Sequence, residues 1–293
     1  MIVSERQTIG LVAGWGRFPI LVAKELKRSG HQVVCCGIKG HADESLSDIC
    51  DDFQWFGLAK LGAQLRFFQR HQVTQATMAG KIFKTLLLEK FHLLKHLPDL
   101  KSLQHFYSIY FSKTKDRKDD TLLLTVTELF ASGGVNFLPA TDFAPELLVK
   151  EGALTLREPT HSQLKDIHFA WNLAKEMGRL DIGQSVAVKD RAVVAIEAVE
   201  GTDACIRRAG ELCNSGNIVI AKVAKPQQDM RFDVPTVGIS TLETMHAAGA
   251  TVLAIEADKT ILLDSKEFVR TANELNICVV SLNNENQITS AAA

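Results

Sequence analysis

The sequence predicts an α/β protein with a parallel sheet in its N-terminal half and a mixed sheet in a second, α+β C-terminal half. Short apolar segments alternate with amphipathic helical segments in the first half, which is typical of parallel strands joined by crossover helices. The second half adds a β-hairpin to further strands and helices. A chain of 293 residues is long enough for two domains, each with its own core.

The N-terminal half contains apolar segments with the length of strands, separated by helical segments. The predicted strands are Thr8–Ala13, Gln32–Ile38, Phe53–Phe56 and Thr74–Ala79. The predicted helices are Phe18–Ser29, which Gly30 ends, Leu58–His71 and Asp119–Ser132. Parallel strands with right-handed helical crossovers form an open sheet, so we expect a Rossmann-like N-terminal domain.

The segment from Ile82 to Tyr110 is rich in Leu, Phe and His, and Pro98 interrupts it. Its composition predicts helices that are too apolar to be wholly solvated. Two interpretations remain open. The helices cover the sheet, or the stretch from Leu86 to Phe111 is an apolar wall that accepts acyl chains or a membrane surface.

Periodicity weakens between Asn136 and Gly152, so we place the junction there and predict domains at residues 1–140 and 141–293. The second domain is predicted to contain helices at Thr160–Met177, Thr202–Cys213, Ser240–Gly249 and Lys266–Leu275. Thr160 with Gln163, and Ser240 with Glu243, have the spacing of capping boxes, and Thr202 is predicted as an N-cap. The predicted strands are Ser185–Val188 and Val193–Ala198, which form a hairpin, then Asn217–Val223, Thr251–Glu256, Thr260–Leu263 and Ile277–Leu282.

Composition excludes several classes of function. The chain has 33 basic and 34 acidic residues, so it lacks the broad basic field of nucleic-acid-binding proteins. No apolar run reaches the roughly 18 residues of a membrane-spanning helix, and the N-terminus does not resemble a signal peptide, which favours a cytoplasmic protein. The six cysteines form no C-x-x-C pair and are expected to be buried free thiols.

Two motifs of the N-terminal half follow strands, where open α/β sheets bind ligands. Gly14 and Gly16 form a G-x-G turn that suits phosphate or is only a tight turn, and Pro19 departs from the dinucleotide fingerprint. Gly80 and Lys81 follow another strand, where the lysine reaches a phosphate or is simply solvated. Asp119 and Asp120 either bind Mg²⁺ or favour the start of their helix.

The second half concentrates polar residues around strand ends, an arrangement that suits an Mg²⁺–phosphate site. The residues come from three stretches: Asp181 and Gln184 in Gly178–Gln184; Glu197, Glu200, Thr202 and Asp203; and Lys222, Lys225, Arg231 and Asp233. Lysines and an arginine near an acid suit an anionic substrate together with a general base or metal ligand. Each residue alone also has a structural explanation.

Four segments give the chain a resemblance to a known family: AGWGRFP at 13–19, GRLDIGQ at 178–184, AVEGTDA at 198–204 and AKPQQDMRFDVPTVG at 224–238. In this order, and over nearly the whole chain, they resemble the LpxI family. The resemblance implies cleavage of UDP-2,3-diacylglucosamine into UMP and 2,3-diacylglucosamine 1-phosphate, a lipid A precursor, with Mg²⁺. It also implies a Rossmann-like N-terminal domain and a C-terminal catalytic domain. Trp15 and Lys118 stand where the family usually has glycine.

The resemblance places Asp233 on the family's essential aspartate, which would bind the metal or orient the water. The expected catalytic residues are Asp233, Lys222, Lys225 and Arg231. The expected substrate-binding residues are Gly14, Gly16, Gly80, Lys81, Asp181, Gln184 and Thr202. The expected metal ligands are Asp233, Glu200 and Asp203, with Asp119 and Asp120 as further candidates, for Mg²⁺ or alternatively Mn²⁺.

The resemblance further implies a lipid-linked UDP-sugar as substrate, transient contact with the inner face of the inner membrane, and a homodimer. Two alternatives from other classes remain. One is a non-catalytic protein that binds lipid or nucleotide through the same residues. The other is a nucleotide-cofactor oxidoreductase, against which Pro19 and the absence of a ribose-binding acid after the second strand argue.

Overall fold

The computed structural model describes residues 6–82, 119–232 and 234–283, with only the backbone for 119–122. It divides into two compact units. The N-terminal unit comprises Met1–Pro145 and Asp229–Phe232, and the C-terminal unit comprises Glu146–Gln228 and Asp233–Ala293. The apolar stretch from Leu86 to Phe111, with its two interpretations, and the predicted catalytic residue Asp233 lie outside the described residues.

The N-terminal unit is built on a parallel sheet, as its alternating pattern predicts. Its strands are β1 Thr8–Ala13, β2 Gln32–Ile38, β3 Asp52–Phe56, β4 Gln75–Ala79 and β5 Asn136–Phe137, in the order β3-β2-β1-β4-β5. Its helices are α1 Arg17–Arg28, α2 Leu46–Ile49, α3 Leu61–Arg70, α4 Asp119–Ser132 and α5 Ala140–Phe143. The strand order reverses between β1 and β4, which is the topological switch point of a doubly wound sheet.

Aromatic side chains form much of the core between this sheet and helices α3 and α4. Phe68 and Phe130 are fully buried, and their ring centroids lie 6.1 Å apart in an edge-on arrangement. Phe130 also lies edge-on to Phe137 of β5, at 5.1 Å. Such tilted pairs suit the quadrupoles of the rings and fix how the helices pack on the strands.

The C-terminal unit has a mixed sheet, so both parts of the predicted fold class are confirmed. Its strands are β6 Gly152–Ala153, β7 Ser185–Lys189, β8 Ala192–Ile196, β9 Ile218–Lys222, β11 Ala250–Glu256 and β13 Cys278–Leu282, in the order β6-β13-β11-β9-β7-β8. Strands β9, β11 and β13 are parallel, whereas β7 runs antiparallel to β9 and forms the predicted hairpin with β8. Strands β10 Thr236–Val237 and β12 Ile261–Leu262 form a separate parallel pair.

Helices cover both faces of this sheet. Helix α6 (His161–Arg179) buries Trp171 and its neighbours in one core cluster. Helices α7 (Thr202–Leu212), α8 (Ile239–Ala247) and α9 (Ser265–Glu274) contribute Ile206, Leu242 and Phe268 to the cluster on the other face. Because both faces are covered, the central strands are apolar throughout, and polar residues are restricted to strand ends.

The helix caps were predicted with mixed success. The capping box of Thr160 and Gln163 is confirmed, since each side chain bonds the backbone N–H of the other residue. The box of Ser240 and Glu243 is wrong, because α8 begins at Ile239 and has no side-chain cap. The prediction of Thr202 as an N-cap is also wrong. Gly201, with φ of 83°, takes that position, and the hydroxyl of Thr202 is directed elsewhere.

The prediction that the cysteines are free thiols is confirmed, and all except Cys213 are buried. Burial raises the pKa of both Cys205 and Cys278 to about 11, which makes them poor nucleophiles at neutral pH. Within residues 6–82, 119–232 and 234–283, no helix combines the length and apolar character needed to cross a membrane.

Candidate active site

One edge of the C-terminal sheet gathers several of the predicted polar residues of this unit. Strands β8, β9 and β11 end there, and β7 begins there because it runs antiparallel to β9. Ser185 at the start of β7 is paired with Lys222 at the end of β9. We call this the polar edge and define it by Gln184, Ser185, Glu197, Thr202, Lys222 and Glu256.

Glu197 follows β8 at the polar edge and is only 7% exposed. Its Oε1 atom accepts a hydrogen bond from the Thr202 hydroxyl at 3.0 Å, and the Ser185 hydroxyl lies 3.4 Å from that of Thr202. Its Oε2 atom is buried and has no hydrogen-bond partner among the described residues. Thr202, a predicted substrate-binding residue, therefore holds one side of a buried carboxylate.

Gly183 explains how Glu197 comes so close to the motif at 178–184. A Cβ atom at Gly183 would lie 2.1 Å from the carbonyl oxygen of Glu197, a distance that only glycine allows. The N–H group of Glu197 then bonds the carbonyl of Ser185 at 2.9 Å. The neighbouring Gln184 has a buried Oε1 atom without a partner in the described part of the chain. Both segments are thus locked together by backbone contacts.

Glu200 and Asp203 were predicted as metal ligands, and the structure gives them different surroundings. Both oxygens of Glu200 accept hydrogen bonds, one from Arg208 at 2.6 Å and one from the N–H of Ala198 at 3.1 Å. Asp203 lies in the first turn of α7. Among the described residues, no three His, Cys, Asp or Glu side chains are grouped as a metal site. The roles of Glu200 and Asp203 remain predictions.

Lys222 is a buried lysine, 6% exposed, at the end of β9. Its Nζ donates a hydrogen bond to the carbonyl oxygen of Thr236 in β10, at 2.9 Å. Lysine is almost never buried to this degree unless its charge is compensated. The polar edge therefore contains a buried ammonium group.

The segment that follows β9 is held against the end of α6. Asp181 accepts a hydrogen bond from Lys225 Nζ at 2.6 Å, and a Cβ at Gly178 would lie 3.1 Å from the Lys225 Cα. The helix continues through Gly178 to Arg179, two residues beyond the predicted end at Met177, and a side chain at Gly178 would be tightly packed against Lys225. Two of the predicted motifs, 178–184 and 224–238, thus meet at Lys225.

Arg231 and Asp229 form a local ion pair. Arg231 Nη2 donates to Asp229 Oδ2 at 2.6 Å, and its Nε donates to Oδ1 at 3.0 Å. Hydrogen bonding to Arg231 lowers the pKa of Asp229, and the same bonds raise the pKa of Arg231. The guanidinium also lies 5.0 Å from the ring centroid of Phe232. The orientation of Arg231 is therefore fixed by Asp229 and by Phe232. Arg231 lies two positions before Asp233 in the sequence, and the geometry of Asp233 lies outside the described residues.

Glu256 and Lys175 help to hold the polar edge in place, and neither was predicted from the sequence as a site residue. Glu256 ends β11, is 3% exposed, and binds Lys175 Nζ at 2.6 Å and the N–H of Ala224 at 2.8 Å. Lys175 in turn donates to the carbonyl of Ala224 at 3.2 Å, and burial lowers its pKa. Both backbone groups of Ala224 are thereby fixed, directly before Lys225. The signal was present in the sequence as an acid that ends a strand in which Ala250 and the residues from Val252 to Ile255 are apolar.

Gly14 and Gly80 lie where two loops of the N-terminal unit pack closely on each other. A Cβ at Gly14 would lie 2.8 Å from the carbonyl of Lys81, and one at Gly80 would lie 2.8 Å from that of Trp15. Backbone hydrogen bonds of 2.8 and 2.9 Å join Trp15 and Lys81 in both directions. Gly14 and Gly80 are therefore required by the packing of two loops on each other.

Gly16, the N-cap of α1, differs from these glycines. It has a φ of 105°, and a Cβ atom at this position would meet no other atom within 4 Å. Its backbone conformation is one that L side chains rarely adopt, while its surroundings are open. The Lys81 side chain is exposed. Among the predicted N-terminal contacts, Gly16 and Lys81 are the ones whose geometry leaves room for a ligand.

Family comparison accounts for both units. Residues 8–147 match the LpxI N-terminal domain, and residues 150–280 match the LpxI C-terminal domain. The chain belongs to the LpxI family. It is 29% identical, over 286 residues, to UDP-2,3-diacylglucosamine pyrophosphatase LpxI of Caulobacter vibrioides, an alignment that covers 94% of this chain and 97% of the relative. The resemblance predicted from the four segments is confirmed.

The three C-terminal segments that indicated the LpxI family are neighbours in space. Gly183 of the first segment abuts Glu197, which directly precedes the second. Asp181 of the first segment binds Lys225 of the third. Residues that are separated by up to 44 positions in the sequence therefore share one edge of one sheet.

Proposed function

We propose that this chain hydrolyses UDP-2,3-diacylglucosamine to UMP and 2,3-diacylglucosamine 1-phosphate, a step of lipid A biosynthesis. The observation that carries this proposal is the match of both LpxI domains along almost the whole chain, together with the relative that is named for this pyrophosphatase activity. A hydrolase acting on a pyrophosphate needs cationic groups, hydrogen-bond donors and carboxylates, and the polar edge supplies all three.

The cationic residues are suited to the two phosphate groups of such a substrate. Lys222 is buried at the end of β9, and Lys225 is oriented by Asp181. With Arg231, these residues would stabilise the negative charge that develops as the bond to the leaving phosphate breaks. The first turn of α7, at Thr202, presents backbone N–H groups and the positive end of the helix dipole to an anion.

The donor chemistry of the polar edge fits Mg²⁺, which prefers hard oxygen ligands, because Glu197 has a buried carboxylate oxygen without a partner among the described residues. When bound, Mg²⁺ would polarise the phosphoryl oxygens and favour departure of the leaving phosphate. The ligands predicted from the sequence are Asp233, Glu200 and Asp203, with Asp119 and Asp120 as further candidates, although Arg208 already binds Glu200. Asp233 would hold the metal or orient the attacking water.

The proposal also covers membrane contact, oligomeric state and the choice of metal. A diacylated sugar nucleotide resides in a membrane, so we propose that a cytoplasmic enzyme contacts the inner face of the inner membrane transiently. The predicted homodimer and the use of Mn²⁺ in place of Mg²⁺ belong to the same proposal. Gel filtration, vesicle sedimentation and metal replacement are the measurements that check these points.

The decisive experiment is hydrolysis of UDP-2,3-diacylglucosamine by the purified protein with Mg²⁺. We expect UMP release by the wild-type protein, none by Asp233→Ala, and loss of activity in EDTA that Mg²⁺ restores. Absence of UMP release from a folded wild-type protein that still binds the lipid would instead indicate the non-catalytic carrier. A thermal shift with NAD would favour the oxidoreductase, and we expect none.

A further inference from the structure

Glu197 has the surroundings of a ligand rather than those of a structural acid. Its side chain is more than nine-tenths buried, yet one of its carboxylate oxygens has no partner among the described residues. Burying a carboxylate without satisfying both oxygens is costly, and in native structures such an atom usually marks the place of a water or an ion. The Oε2 atom therefore retains its full capacity to bind a cation.

The other oxygen of Glu197 is held in place. The Thr202 hydroxyl donates to Oε1 at 3.0 Å, and the Ser185 hydroxyl lies 3.4 Å from Thr202 Oγ1. Metal-binding carboxylates are commonly oriented in this way by a hydrogen bond to the oxygen that does not face the metal. Thr202 is also the first residue of α7, so the held carboxylate lies beside the start of that helix.

Glu200, three positions further along, provides the contrast. Arg208 neutralises its charge at 2.6 Å, and the N–H of Ala198 occupies its second oxygen at 3.1 Å. A cation that binds Glu200 would have to displace Arg208. Of Glu197 and Glu200, Glu197 is therefore the better placed to bind a cation.

We propose that Glu197 is a direct ligand of the divalent cation, that Thr202 positions its carboxylate, and that Glu200 is structural. The proposal rests on the function proposed above. A single buried carboxylate from this edge suffices for such a role, because Mg²⁺ is usually held by one or two carboxylates, several waters and the phosphates of the substrate.

The test measures the binding of Mn²⁺ to the full-length protein without substrate, and electron paramagnetic resonance detects the bound ion. We expect Thr202→Val to weaken Mn²⁺ binding about 10-fold, within the range found for the partners that orient metal ligands, and Glu197→Gln, which removes the ligand itself, to weaken it by about 100-fold or more. Glu211→Gln, an exposed glutamate at the other end of α7, is the matched control and is expected to bind Mn²⁺ like the wild type.

Each outcome bears on the proposal. Wild-type affinity in Glu197→Gln overturns it, and so does weakening by Glu200→Gln instead, or absence of Mn²⁺ binding by the wild type. If Glu197→Gln fails to fold, Thr202→Val decides, since it leaves the carboxylate in place but removes its hydroxyl partner. Hydrolysis is assayed separately, so a protein that binds Mn²⁺ through Glu197 but releases no UMP would contradict the proposed function and support this inference.

Discussion

Asp181 Oδ1 lies 2.6 Å from Lys225 Nζ, and this contact joins two sequence motifs that are 44 residues apart. Asp181 adopts a left-handed backbone conformation, with φ of 57°, at the end of α6. The contact fixes the ammonium group of a predicted catalytic residue without burying the pair, since the side chains of Lys225 and Asp181 are 26% and 47% exposed. Its effect should therefore be seen in activity more than in stability.

We expect Asp181→Asn to lower kcat/KM for UDP-2,3-diacylglucosamine about tenfold, equivalent to about 1.4 kcal/mol of transition-state stabilisation. The free energy of unfolding should change by less than about 1 kcal/mol, because exposed ion pairs contribute little. Asp258→Asn is the matched control. Asp258 is also left-handed, with φ of 56°, and binds Lys150 at 2.7 Å. Equal activity losses in both variants would contradict a specific role for the Asp181–Lys225 pair.

The ion pair of Asp229 and Arg231 predicts a dependence of stability on pH. Hydrogen bonding to Arg231 lowers the pKa of Asp229 below its ordinary value of 3.8, so the unfolded chain binds the proton more readily. The stabilisation is complete above that ordinary value and is lost as the pH falls through the lowered native pKa. At pH 7 we expect Asp229→Asn to reduce the free energy of unfolding by less than about 1 kcal/mol.

The measurement is urea unfolding of the wild type and Asp229→Asn between neutral and acidic pH. The difference between the two proteins should shrink once the pH falls below 3.8 and continue to shrink as Asp229 protonates. A difference that stays constant or grows toward low pH would show that the carboxylate does not stabilise the fold through its charge.

The buried pair of Glu256 and Lys175 should matter for stability as well as for the active site. Removing one member of a buried ion pair leaves the other charge without compensation, so we expect Glu256→Gln to cost about 3 kcal/mol. Glu176→Gln is the control, because it removes an exposed partner of Arg179 on α6, the helix that also carries Lys175. We expect it to cost less than about 0.5 kcal/mol. Urea denaturation followed by circular dichroism measures both values, and equal costs would contradict a buried role for Glu256.

The close approach of Gly183 to Glu197 predicts that even one methyl group is harmful. A Cβ at Gly183 would meet the Glu197 carbonyl at 2.1 Å, so Gly183→Ala must displace the strand end. We expect a loss of about 1–3 kcal/mol, typical of overpacking. Gly238→Ala is the control, because its nearest atom would be 3.5 Å away, and it should cost less than about 1 kcal/mol. Similar melting temperatures for the two variants would contradict the predicted clash.

The fold could be predicted from the sequence because its signals are local. The apolar run Thr8–Ala13 is followed directly by a glycine, and the capping box of Thr160 uses two residues three positions apart. Where local signals compete, prediction failed. Gly201, Thr202 and Ser240 all suit helix starts, but a left-handed glycine at 201 freed the Thr202 hydroxyl for Glu197.

The site could be predicted only as a set of residue types. Glu197 and Glu200 look alike in the sequence, and only their contacts distinguish them: both oxygens of Glu200 have partners, whereas Oε2 of Glu197 has none among the described residues. Lys175 and Glu256 were missed because their meeting depends on how α6 packs on the sheet, over 81 residues of separation. Gly14 and Gly80 were expected to contact substrate, whereas the packing of one loop on the other already accounts for them.

Two backbone hydrogen bonds join Trp15, which follows β1, to Lys81, which follows β4, in an antiparallel bridge beyond the parallel pairing of these strands. A loop that is tied down in this way has already lost most of its conformational freedom during folding. A ligand that binds at Gly16 would therefore not have to order the loop, so its affinity would not be reduced by the entropic cost of ordering. For such a ligand, the tight turn at the switch point of the sheet would be a preorganised binding site.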